Sequence, residues 1–239
     1  MDVYLLPVMP APPGAEPPFE LYCEPPPDPE PEPGTEAKPG FFGRMVLRFK
    51  QALAEGEAEQ RRQEDGQPDE APKDFGGRVG RFVKRKLAAA VAEQRVLWHL
   101  RNVTAAQLHH PVTITSSRAV EIATAEFKKD LSKHRLWCII DGAIFIATGL
   151  VAIVPGPNLL AYYFIFRSVG HFFAYRGARK GMEASLWTGV PSAPLADLQN
   201  ALSLDPAART ARIEAIAHAL GLERLSVFMR RVANRPHKT

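Results

Sequence analysis

Residues 136–154, LWCIIDGAIFIATGLVAIV, carry a single charged side chain, Asp141, in 19 positions. An apolar stretch this long has to be withdrawn from water, and the residues that follow it restrict how. Pro155, Gly156, Pro157 and Asn158 stop a continuing helix. The prolines lack the donor a helix interior needs, while glycine and asparagine suit a turn. A second apolar stretch, LLAYYFIF, leads to Arg167, and aromatic and small residues continue to Tyr175. The pattern predicts a helical hairpin over 136–175 with PGPN at its tip.

The flanks suggest where such a hairpin would sit. Lys128, Lys129, Lys133, His134 and Arg135 precede it, and Arg176, Arg179 and Lys180 follow. Positive charge at both outer ends and none at the tip predicts a membrane-inserted hairpin with both chain ends in the cytoplasm. Trp137, Tyr162, Tyr163 and Trp187 would be interface anchors. The alternative is a buried hairpin in a soluble α-helical bundle acting as a protein-interaction module.

The rest of the chain is divided by composition. Of the 22 prolines, 13 fall in residues 1–39, which also hold eight carboxylates and one basic residue, Lys38. Subtracting these from the totals of 30 basic and 26 acidic residues leaves 29 and 18, a net of +11 over residues 40–239. Val3–Leu6 and Phe19–Tyr22 are β-prone runs, read as a small hairpin in residues 1–24. Residues 25–40 form a Pro/Glu-rich linker with little apolar surface to bury. Residues 41–135 read as an amphipathic helical region, with helices starting near Phe41 and Val79. His109-His110-Pro111 interrupts it. Thr115-Ser116-Ser117 then caps a third helix running to Leu131. Residues 176–239 form a helical tail, its last pair of helices broken at Gly221. The fold class is therefore mainly α.

Cys23 and Cys138 are too few for a disulfide scaffold or a cysteine-rich metal site. The amino terminus has neither the basic region of a secretory signal nor the arginines of a transit peptide, so it is expected to stay where it is made. GxSxG, P-loop and HExxH patterns are absent, so no enzyme, cofactor or metal is expected. The basic face at residues 78–86 suits anionic lipid better than nucleic acid.

Asp141 admits two roles. It could pair along its own helix with His134 or Arg135. Alternatively His134, Asp141, Arg167 and His171 could form a polar cluster between the two arms, relaying protons or holding a cation.

Several of these residues also carry a family resemblance. Lys133-His134-Arg135, Trp137, Asp141, Val154 to Asn158, Tyr162-Tyr163, Arg167, Gly170-His171 and Gly177 resemble the mitochondrial K+/H+ exchange-related family, which includes bacterial members. The similarity is strongest over residues 130–190. MDVYLLPV with the later ELYCE is similar to the bacterial proteins. The resemblance implies a membrane-associated accessory or scaffold component of monovalent cation/proton homeostasis. It implies as partners the bilayer and other membrane proteins or a second copy, and as location the bacterial inner membrane.

Overall fold

The computed structural model describes residues 1–11, 14–24, 95–151 and 159–233. The linker at 25–40, the predicted helices near Phe41 and Val79 and the turn Pro155–Asn158 lie outside the described residues. The described residues divide between two compact units. One takes its members from residues 1–24, 99–131 and 176–233, the other from 95–98, 132–151 and 159–175.

The first unit is built on a four-stranded sheet in the order β2-β1-β3-β4. Strands β1 (Asp2–Pro7) and β2 (Phe19–Tyr22) pair antiparallel, with Tyr4 opposite Tyr22 and Leu6 opposite Glu20. This is the N-terminal strand pair expected from the sequence. It does not stand alone, since two strands bury too little surface for independent stability. β3 (Ala106–Pro111) lies parallel to β1, and β4 (Trp187–Ser192) lies parallel to β3.

The described residues are mostly helical, as expected, and these two strands extend the expected N-terminal pair into a sheet that the sequence reading did not include. Ala106, Leu108 and His110 alternate as buried residues, a strand period that the His-His-Pro interruption concealed. WTGVPS lies in the stretch expected to be a helical tail, although its glycine and proline are poor helix formers. β4 is an edge strand, where a proline need not donate to a neighbour.

Helices α1 (Arg95–Leu100), α2 (Ser116–Val151) and α3 (Leu159–Gly181) connect these strands. α2 is one helix of 36 residues. The sequence reading ended a helix near Leu131 and began a separate arm at 136, yet DLSKHRLW contains neither glycine nor proline to break it. Its first half buries Ala119, Ala123 and Phe127, spaced four residues apart on one face. Phe127 stacks on Trp187 at 5.7 Å, and the Trp187 indole donates to the Gly181 carbonyl at 2.8 Å. Arg118 holds Glu16 of the β1–β2 connection, and this hydrogen-bonded partner keeps the Glu16 carboxyl below its usual pKa.

A short 3-10 turn (Ala184–Leu186) precedes β4, and α4 (Ala193–Ala201), α5 (Pro206–Leu220) and α6 (Leu225–Ala233) follow it. Leu195, Leu198, Ile213, Ile216, Leu225 and Met229 pack with Leu6 and Tyr22 in one apolar cluster. Asp205 caps α5 by accepting from the backbone of Ala207 and Ala208, with Pro206 in the first turn. Gly221 ends it at φ 66°, a left-handed conformation that suits glycine.

The described residues do not show the expected membrane-spanning hairpin. Among the described residues no helix is long and apolar enough to cross a membrane. The apolar part of α3 is interrupted by Arg167 and His171.

Candidate functional site

In the second unit α2 and α3 carry the four polar residues singled out in the sequence. His134 and Asp141 are seven residues apart on α2, two helical turns, and so share a face. Arg167 and His171 are four apart on α3 and also share a face. The structure brings all four together. Arg167 Nε lies 3.1 Å from Asp141 Oδ2, His171 Nε2 lies 3.5 Å from the same oxygen, and His134 Nδ1 lies 2.8 Å from His171 Nδ1. Asp141 thus meets the opposite helix rather than His134 or Arg135 of its own.

Burial governs the electrostatics here. Asp141 and His134 are 0% and 1% exposed. Withdrawal from water raises the Asp141 carboxyl above its ordinary pKa, against the opposing pull of the Arg167 charge. Burial is also the largest cause pushing both rings down to about 4. His171 and then Lys133 add to it at His134, Arg167 and then Lys133 at His171. Both histidines are therefore neutral at pH 7.

Although Arg167 is in ion-pair range, neither Asp141 oxygen has a hydrogen-bond partner among the described residues. The Arg167 contact is close but misaligned, and 3.5 Å to His171 is beyond a hydrogen bond. A buried carboxylate in this state is costly, so Asp141 is under pressure to acquire a proton or a donor.

Three neighbours complete the site. The Arg167 guanidinium sits over the Trp137 ring at 4.8 Å from its centroid, a cation–π contact that holds it toward Asp141. Ser168 donates to the Cys138 carbonyl at 3.2 Å, a further tie between α2 and α3. The sequence reading treated Trp137 as an interface anchor and gave Ser168 no role. The available signal was spacing: Trp137 lies three residues after His134 and four before Asp141. No group of three His, Cys, Asp or Glu side chains suited to a metal ion occurs among the described residues.

The class defined by these features is a helix pair enclosing a neutral-histidine, buried-carboxylate cluster. Over residues 73–183 the chain matches the family model described as mitochondrial K+-H+ exchange-related. The match includes all four cluster residues and supports a relationship at family level. No curated protein and no solved structure matches the chain.

Proposed function

We propose that this chain is a bacterial-type, non-catalytic accessory or scaffold component of monovalent cation/proton homeostasis. The observation that carries the proposal is the position, inside the family-matched span, of a cluster in which buried Asp141 and His134 meet half-buried Arg167 and His171. Charged and titratable groups are expensive to bury, and their joint burial in one cluster favours a role in charge handling.

The proposed site of action is the bacterial inner membrane, reached by surface contact. Leu136, Ile139, Ile146 and Phe172 are 57%, 64%, 62% and 46% exposed and offer apolar surface to the bilayer or to a protein partner. That partner would be an ion-translocating membrane protein or a second copy of the chain. An accessory role is favoured over transport by the chain itself, because dehydrating a cation takes more ligands than one carboxylate and two neutral rings provide.

The test compares K+-dependent proton movement in membrane vesicles from cells with and without the protein. The proposal expects slower exchange without it, restored by re-expression, and little exchange by the purified protein alone in liposomes. Unchanged exchange in the deleted strain would refute the role in homeostasis. Robust exchange by the purified protein would replace accessory with transporter.

A further inference from the structure

The cluster has a polarity that follows from its atoms, and the inference drawn from it rests on the reading of this cluster as the functional site. An ionised Asp141 can only accept, so its charge favours a hydrogen on His171 Nε2, the nitrogen that faces it at 3.5 Å. His171 is neutral, so its Nδ1 is then a bare acceptor. The 2.8 Å contact between the two Nδ1 atoms consequently places the hydrogen on His134, leaving His134 Nε2 bare. One charge state thus favours one tautomer of each ring.

Protonating Asp141 reverses every assignment. The carboxyl O–H now faces a bare His171 Nε2. His171 Nδ1–H donates to His134 Nδ1, and His134 carries its hydrogen on Nε2. The two arrangements differ by one added proton and leave both rings neutral.

We infer that His134, His171 and Asp141 form a reversible one-proton line, in which a proton taken up at His134 Nε2 is delivered as a proton on Asp141. The steps balance. Hydronium gives its proton to His134 Nε2 and leaves water. The His134 Nδ1–H bond breaks as a bond forms at His171 Nδ1. The His171 Nε2–H bond breaks as a bond forms at an Asp141 oxygen. No ring retains a charge, in keeping with a site that disfavours imidazolium.

That neither Asp141 oxygen has a hydrogen-bond partner among the described residues is the independent sign of a vacant proton position. The 3.5 Å separation from His171 needs only a small side-chain movement to become a hydrogen bond. Among the described residues the charged groups acting on the line are Lys133 from α2 and Arg167 from α3. Arg167 limits the rise of the Asp141 pKa, which keeps delivery reversible.

The test is a pH titration of the full chain with 15N-labelled histidine and 13C-labelled aspartate, followed by NMR. His134 should move from the Nδ1–H to the Nε2–H form as pH falls, while His171 moves in the opposite direction. Both rings should share the midpoint of the Asp141 carboxyl. Asp141→Asn should abolish the paired exchange. Overturning results are a fixed His134 tautomer, separate midpoints for the rings and the carboxyl, or exchange that persists in Asp141→Asn. Should that variant fail to fold, the shared midpoint in the unaltered protein decides alone. A coupled titration with unchanged vesicle exchange would remove the homeostasis role and keep the line. Vesicle dependence without coupling would remove only the line.

Discussion

His134 Nδ1 lies 2.8 Å from His171 Nδ1, so α2 and α3 are joined by a contact that accommodates one hydrogen and not two. If both rings were imidazolium, two N–H groups would oppose each other at that distance. Neutrality of the pair is thus a condition of the helix contact.

Stability should depend on this in a defined pH window. Both ring pKa values are lowered in the folded protein, from 6.5 to about 4. Between those values the unfolded chain binds more protons, so stability is fully present above about 6.5 and falls as pH drops toward 4. A single ring contributes on the order of 3 kcal/mol at most. The raised Asp141 pKa acts in the opposite sense, regaining stability as the carboxyl protonates. Chemical denaturation at several pH values should show the net fall, with a shallower slope in His134→Gln. A flat profile would refute this account.

The Asp141–Arg167 pair should respond asymmetrically to mutation. Arg167→Met removes the guanidinium at 3.1 Å and its contact with Trp137, leaving a buried carboxylate uncompensated. Breaking a buried pair in this way costs about 3 kcal/mol, less to the extent that Asp141 protonates instead. Asp141→Asn removes the buried charge and leaves Arg167 partly in water, 34% exposed, so the loss should be under about 1 kcal/mol. Urea midpoints of the two variants test the order, and equal or reversed losses would contradict it.

How much of this was readable in one dimension depends on the range of each contact. β1 and β2 show as local β-prone runs, and Gly221 marks the boundary between two tail helices. β3 and β4 were missed because their evidence is pairing with distant segments. Ala106 pairs with Trp187, 81 residues away, and both segments lay in stretches expected to be helical. Within each helix the spacing of His134 with Asp141 and of Arg167 with His171 was legible. The opposition of Asp141 to Arg167 depends on the register between helices, which spacing does not encode.

The end of α5 offers a local test. Gly221 has φ 66°, and its N–H donates to the His218 carbonyl while that of Leu222 donates to the Ala217 carbonyl. Gly221→Ala keeps these bonds but places a Cβ on left-handed backbone, costing about 1 kcal/mol. Asp205→Ala should cost about 1 kcal/mol at the other end by removing the cap. The sites lie at opposite ends of the helix, so the losses should add within about 0.5 kcal/mol. Thermal melts of the singles and the double check this, and an unaffected Gly221→Ala would rule out the strain.

Gly189 tests how α2 is seated on the sheet. A Cβ built there would collide with Ser116 Cβ and lie 2.6 Å from its Oγ. Such separations are well inside van der Waals contact, and the helix start or the strand must move. Ser116 cannot easily yield, because its Oγ is 2.9 Å from Nε2 of the buried His110. Gly189→Ala should therefore destabilise by about 1–3 kcal/mol, as other overpacked sites do. Ser116→Gly alone should also destabilise, through the lost His110 hydrogen bond and the extra freedom of glycine in the first helical turn. The double variant removes the colliding atoms, although Ser116 Cα remains 3.2 Å from the added carbon. It should be more stable than the sum of the single losses by at least about 1 kcal/mol, a positive coupling between residues in direct contact. Strictly additive losses in a double-mutant cycle would mean that the β4–α2 approach does not set the position of Ser116.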